Sequence, residues 1–405
     1  MNQQACRLAR CGPGPLQGWR SAVGMIGLAA LAGFVLAVLV APPAHAQAPA
    51  DASGSGSGSA SASAAASAPE PAPAPAQRLG IPAARVPRLR VAQIGLVVNS
   101  ADPYSVQVGQ YYARKRGLAP SQVLLVELPV RAVLSVAEFD TLRRAIAARF
   151  GPRIQALALA WVAPQAVECN SITGALALGF DAELCRNGCA RSKPSPYFNS
   201  GSARPLQDLG MRPSMLLAAP SINHATALID RGVAADRSLL LRGRPPVNAL
   251  FLTTGDTARG VRSAQYPPPG WLAGVNVDVR IAPAEALKLT PRVLLAITGS
   301  ARLDLAPAID WVPGALADHL TSHGGALDGQ HDQSSALEWI ASGATASYGS
   351  VSEPCNHRQK FPHPQLLLLH YLSGSTAIEA YWKSVAWPQQ GLFIGEPLAA
   401  PFANQ

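Results

Sequence analysis

The sequence predicts an α/β fold: a mostly parallel sheet flanked by helices, with a loop-rich, cysteine-containing insertion. Three observations carry this. Short, fully apolar runs recur and break at Gly, Asn or Pro, as strands buried on both faces do. Helix-period segments with caps separate the first of these runs. The early order of strand, helix, strand, helix, strand then requires parallel pairing through right-handed crossovers.

Before the fold comes a segment of different character. Arg7, Arg10 and Arg20 precede an uninterrupted apolar run over residues 21–41, and Ala44-His45-Ala46 has the small-x-small form of a cleavage site. Residues 1–46 therefore read as a secretory signal peptide, and the chain as exported, periplasmic or extracellular. The run is long enough to span a bilayer if left uncleaved, and that would be its one route to a membrane. Residues 47–87 form a low-complexity Gly/Ser/Ala tract followed by alternating Pro-Ala, a coil joined to a stiffer spacer. Residues 88–405 remain as a single α/β domain, with an insertion at about 165–215.

Within that domain, residues 91–98 read as a first strand ended by the turn cluster at 99–103. Residues 105–116 have helical spacing and stop at Gly117. A second strand covers 122–128. Ser135 with Glu138 forms a capping box for the next helix, and residues 154–162 give a third strand. After the insertion come a helix at 225–231 closed by Gly232, strands at 246–254 and 292–298, and a short strand at 318–321. A helix at 333–341 is closed by Gly343, a strand covers 345–351, and helices follow at 364–372 and 376–384. About six mostly parallel strands result.

Charged residues are only 14% of the chain and hydrophobic ones 48%, which excludes a disordered polyelectrolyte. The net charge is +9, and +6 without residues 1–46. No Lys/Arg run marks a nucleic-acid footprint, so no nucleic-acid partner is expected. No G-x-S-x-G elbow, Walker loop or H-E-x-x-H motif is present, and no cofactor or metal is implied.

Ligands of open α/β sheets bind beyond the carboxyl ends of the strands. That rule collects Cys169, Asp256, Ser300, Ser322, His323, Glu353 and His357 as a ligand crevice. Ser322, His323 and Cys355 are the candidate catalytic groups, because a nucleophile needs a neighbouring imidazole as base. Asp256 with Arg259 and Arg262 could hold a carboxylate or phosphate; the plainer readings are a surface helix with ordinary ion pairs there, and a turn with a solvated histidine at Ser322-His323-Gly324-Gly325. His319 and His331 read as structural or exposed, and Tyr381, Trp382 and Trp387 as core anchors.

Cys6 and Cys11 leave with the signal peptide. Cys169, Cys185, Cys189 and Cys355 remain, an even number in an exported chain, which favours two disulfides. Four cysteines allow three pairings. Cys185 with Cys189 would close a local loop and leave Cys169 to meet Cys355. A zinc site with His357, a reactive thiol at Cys355 or Cys169 served by His323, and inert thiols are the alternatives.

Longer irregular segments carry a resemblance. Residues 171–174 (SITG), 195–200 (SPYFNS), 211–214 (MRPS), 317–322 (ADHLTS), 335–339 (SALEW), 381–387 (YWKSVAW) and 391–397 (GLFIGEP) resemble a family of exported bacterial proteins. That family occurs in genomes carrying exosortase, a membrane enzyme that sorts proteins bearing a C-terminal PEP signal. The resemblance spans about residues 90–402 and implies an accessory role in envelope protein sorting; the crevice at the strand ends is separately expected to take a peptide or glycan ligand. More distantly, residues 343–353 resemble the end of a gingipain-type, caspase-like peptidase domain. That layout would place a catalytic His at the end of one strand, where Ser300 stands, and a catalytic Cys at the end of the next, where Ser322 or His323 stands. The resemblance therefore implies a caspase-like fold without the usual dyad.

If the signal reading is correct, the exported protein begins at Gln47. Intact-mass analysis of the secreted chain is expected to show loss of residues 1–46, and an intact amino terminus would refute it.

Overall fold

The computed structural model describes residues 87–239, 245–306 and 308–403. The expected signal peptide and all but the last residue of the spacer lie outside the described residues. In chain order the first part runs β1 (Ile94–Asn99), α1 (Pro103–Arg116), β2 (Val123–Val126), β3 (Val133–Leu134), α2 (Val136–Arg149), β4 (Ala156–Leu159), β5 (Ala166–Val167), β6 (Asn170–Ser171), α3 (Ile172–Leu178), α4 (Glu183–Arg186), α5 (Pro205–Leu209), β7 (Ser214–Leu216) and α6 (Ile222–Ala235). The second part runs β8 (Val247–Thr253), β9 (Gly270–Leu272), β10 (Val277–Pro283), α7 (Ala286–Leu289), β11 (Val293–Gly299), β12 (Trp311–Leu320), α8 (Ala336–Ser342), β13 (Ala346–Ser350), α9 (Pro364–Leu372), α10 (Ala377–Ser384) and β14 (Gly391–Gly395).

Local chemistry sets the helix ends. Asp102 accepts the Tyr104 N–H, Pro103 opens α1 where its missing N–H is harmless, and Gly117 closes the helix at φ 65°. Ser135 and Glu138 cap α2 reciprocally, as the sequence predicts.

Eleven strands form one sheet in the order β2-β1-β4-β7-β14-β13-β12-β11-β8-β10-β9. Strands β2, β1, β4, β7 and β14 run parallel to one another. Strands β13, β12, β11, β8 and β10 run parallel in the opposite sense. The seam between the blocks is the antiparallel pair β13–β14, and β9 adds an antiparallel edge. Strands β3, β5 and β6 make a small separate sheet. The central strands are buried along their whole length, which is why they read as continuous apolar runs.

The expectation of about six strands is corrected to this larger, two-block sheet. Strand β7 has three residues, too few to show a period. Strand β10 carries Asp278 and Arg280 near the open edge. Strand β12 begins seven residues before the predicted strand, because Pro313 and Gly314 read as breakers; its pairing with β11 shifts register there.

Helix α6 is also longer than predicted. Gly232 lies inside it instead of closing it, and the glycine is required by Glu396 packing against its Cα; a Cβ there would sit 2.4 Å from Glu396 Cγ. Glu396 is fully buried and takes Arg116 in a two-pronged pair, Nε to Oε1 at 2.9 Å and Nη2 to Oε2 at 2.6 Å. Arg116 also reaches Asp236 and the Gly232 carbonyl.

Removing one partner of a buried ion pair costs about 3–5 kcal/mol, and overpacking about 1–3. Arg116→Met is therefore expected to lower the unfolding free energy in urea by more than Gly232→Ala does. Losses below about 1 kcal/mol for Arg116→Met would show that the pair is not a structural clamp.

Candidate functional site

Because the blocks run in opposite senses, the amino ends of the first and the carboxyl ends of the second open on the same long edge of the sheet. Asp256 follows β8, Ser300 follows β11, Ser322 and His323 follow β12, and Glu353 follows β13. These collected residues thus all follow strands of the second block. Cys169 does not mark a strand end there. The chain after β4 turns back, β6 docks Ser171 Oγ on the Gly391 carbonyl at 2.6 Å, and the Cys169 carbonyl accepts Ser352 Oγ beside the end of β13.

Two hollows flank the end of β8 and share Leu252 and Thr254. One, about 150 Å³, has Leu252, Leu287 and Trp339 for a floor and Glu285, Ser300 and Arg302 at its rim. The other, about 340 Å³, is bordered by Asp256, Thr257, Ser263 and Tyr266. Hydroxyl and charged groups over an apolar floor are the ordinary make-up of a small-ligand site.

Directly beneath this edge lies a buried charge pair. Arg262 Nη2 is 2.6 Å from Asp318 Oδ1, and both side chains are almost completely excluded from solvent. Arg262 also donates to the Thr298 and Pro362 carbonyls and lies over the Phe361 ring. This corrects the reading of Arg262 as a surface-helix arginine: its partner comes from β12, distant in sequence. Burial pushes the Asp318 carboxyl up, against the opposing pull of Arg262.

His319, next along β12, is fully buried with both ring nitrogens engaged. Nδ1 lies 3.0 Å from Trp339 Nε1, and Nε2 lies 2.9 Å from the Ser334 carbonyl. The indole is a donor only, so Nδ1 accepts and Nε2 carries the proton. A second proton has no acceptor. Burial, with lesser contributions from Arg262 and Arg259, lowers the pKa to about 4. His319 is a neutral structural histidine.

The loop after β12 is held from below. Gln333 Oε1 accepts the Thr321 hydroxyl and the His323 N–H, Arg259 Nε donates to Thr321 Oγ1, and Arg259 Nη1 pairs with Asp256 at 2.7 Å. Ser350 Oγ donates to the carbonyls of Thr321 and Ser322. The half-buried His323 ring stacks on His331, with centroids 3.8 Å apart and planes within 5°. Burial first, then His331, lowers the His323 pKa. His331, read from the sequence as a lone histidine, is thus part of the edge; nothing in its spacing signals the stack.

The cysteines form two disulfides, Cys169–Cys185 and Cys189–Cys355. The local pairing of Cys185 with Cys189 is corrected. Cys185 sits on α4 facing Cys169 and Asn170, whereas Gly188 is pressed against the Glu353 backbone and carries Cys189 to Cys355. The Gly188 carbonyl accepts Lys360 Nζ at 2.6 Å and Gln390 Nε2. Burial lowers the Lys360 pKa to about 8. His357 Nε2 meets the Cys189 carbonyl, and its ring lies edge-on to Trp387. Glu353 Oε1 accepts the Cys355 N–H at 2.7 Å. While these bonds persist, neither Cys355 nor Cys169 offers a thiolate. Among the described residues no group of three or more His, Cys, Asp or Glu is placed to hold a metal ion.

No protein-family model matches the chain, and no curated protein matches it. Solved structures resemble it weakly in fold. The Arg-specific cysteine proteinase gingipain R matches with a TM-score of 0.38 at 11% identity, over 76% of this chain and 78% of that one. A structure described as a protease matches with a TM-score of 0.39 at 11% identity, over 77% and 79%.

The neutral His319 has a consequence for stability. Its folded pKa of about 4 lies below the 6.5 of the free side chain, so between those values the unfolded chain binds the extra proton. Stability is complete above pH 6.5 and falls as pH drops towards 4, by about 3 kcal/mol at the limit. Urea unfolding across this range is expected to show the loss, and His319→Gln to remove that part of the slope. An unchanged slope in the variant would mean that His319 is not held neutral.

Proposed function

We propose that the chain is an exported accessory factor that binds a peptide or glycan ligand in the crevice at the ends of β8, β11 and β12. Its role would be support of exosortase-type protein sorting in the cell envelope, without thiol catalysis. The observation that carries this reading is the pair of hollows around the end of β8, together with the joining of all four cysteines of the described residues in disulfides. Disulfide pairing also favours an oxidising compartment. The family resemblance through residues 171–174, 317–322 and 391–397 supports the sorting role.

The test has two parts. Alkylation with iodoacetamide is expected to modify the four cysteines of the described domain only after reduction, and fluorogenic peptides to be left uncleaved with or without reductant. Calorimetric titration with envelope oligopeptides and oligosaccharides is expected to find a ligand whose binding Ser300→Trp weakens at least tenfold by plugging the smaller hollow. Turnover abolished by Ser322→Ala would replace this reading with a serine hydrolase. Labelling of Cys355 without reductant, together with turnover, would replace it with a cysteine peptidase.

A further inference from the structure

The same long edge carries a second feature at the amino ends of β1, β2 and β4. A groove of about 300 Å³ runs between the turn at Val91–Gln93, the loop from Ala119 to Gln122, and the loop after α2. Arg149 and Arg153 wall it, Ser121 adds a hydroxyl, and no carboxylate lines it. Arg149 is fixed by donating to the Val123 and Pro120 carbonyls. It remains exposed, and no acid among the described residues pairs with it. Arg153 and Arg90, both exposed, have no side-chain hydrogen bond or ion pair among the described residues.

Charge is sorted along the two helices of this block. The acids Asp102, Glu138 and Asp140 stand at or near the amino ends of α1 and α2, while Arg114, Lys115 and Arg149 stand at the carboxyl ends. Helix dipoles favour that arrangement, but they do not account for Arg90 and Arg153, which lie outside both helices. The chain also enters here. Arg78 and Arg85 precede the first described residue, and the preceding spacer leads back to the apolar run at 21–41.

We propose that this groove receives the phosphate of anionic phospholipid headgroups and seats the domain on a membrane surface. Guanidinium groups suit phosphate because they donate in parallel pairs. A basic patch of this kind binds an anionic leaflet reversibly and in a salt-dependent way. The lipid is favoured over other polyanions because the groove sits where the tether enters. With the signal removed, the groove supplies the contact that the lost segment would have made; with it retained, the two signals act together.

The test is co-sedimentation of the full exported chain, purified without detergent, with vesicles of equal parts phosphatidylglycerol and phosphatidylcholine, or of phosphatidylcholine alone. Binding is expected only to the anionic vesicles, and to be lost between about 0.05 M and about 0.5 M salt. Arg90→Glu/Arg153→Glu is expected to weaken it at least tenfold with an unchanged thermal melt, since neither side chain has a partner to lose. Arg186→Glu/Arg191→Glu, the same charge change on the disulfide-bearing insertion, is expected to bind as the native chain does. Equal binding by the two double variants, or binding to neutral vesicles, would overturn the proposal. So would binding of an anionic polysaccharide by a chain that ignores the vesicles.

Discussion

Glu396 ties together the two halves of the sheet, holding Arg116 with its side chain on one side and the backbone before β13 on the other. Glu396 follows β14, the strand at the seam. Its side chain reaches Arg116 at the end of α1 and presses on Gly232 of α6, both in the first block. Its backbone N–H reaches the Thr345 carbonyl, just before β13, in the second block. The preceding residue must be glycine twice over. Gly395 has φ 139°, and a Cβ on it would lie 2.5 Å from Ala346. A buried ion pair contributes little net stability compared with a well-packed apolar pair, but loss of either partner leaves the other charge buried and unpaired, which makes this junction intolerant of change.

From the seam follows the layout of everything else. Had β14 run with the second block, the amino ends of β1, β2 and β4 would face away from the carboxyl ends of β8, β11 and β12. The reversal instead gives one edge both the crevice and the arginine groove, with β7, β14 and β13 between β4 and β12. The disulfide Cys189–Cys355 fastens the insertion to the segment following β13, across 166 residues of sequence. Closing so long a loop restricts the unfolded chain strongly in the loop-entropy account, and it holds Glu353 and His357 beside Gly188. Lys360, Gln390 and His357 all bond to the Gly188–Cys189 backbone.

Legibility from sequence divides along the same physical lines. Strands β8, β11 and β13 and helices α2, α9 and α10 were readable because burial on both faces, or a cap followed by helical spacing, leaves a local signature. Strand β14 was visible only as an irregular family-like segment, because its reason for being a strand lies in β13 and β7. The strand-end rule found Ser300, Ser322 and His323 from order alone. It could not find the stack on His331, the pairing of Arg262 with Asp318, or the true cysteine partners, since each joins residues whose proximity arises only when the sheet closes. The composition showed the excess positive charge, but a groove formed by three separate loops has no signature in sequence.

The chemistry left at the crevice follows from what the fold has already committed. Asp318 is neutralised in place by Arg262, His319 is fixed as a neutral donor–acceptor, and the four cysteines of the described residues are bonded. A carboxylate held by an arginine makes a poor base, and a histidine whose Nδ1 accepts an indole N–H cannot take up a proton without losing that bond. Among the groups that remain accessible are the hydroxyls of Ser300, Ser322 and Thr254, the paired Arg259 and Asp256, and the imidazoles of His323 and His331. Thr254 and Ser300 are themselves oriented by the Gly299 and Arg302 carbonyls. This is an array of fixed donors and acceptors around an apolar floor, suited to recognising a ligand. For chemistry it would have to bring Ser322 and His323 into line, and the hold of Gln333 on the His323 backbone and the His331 stack on its ring both resist that movement.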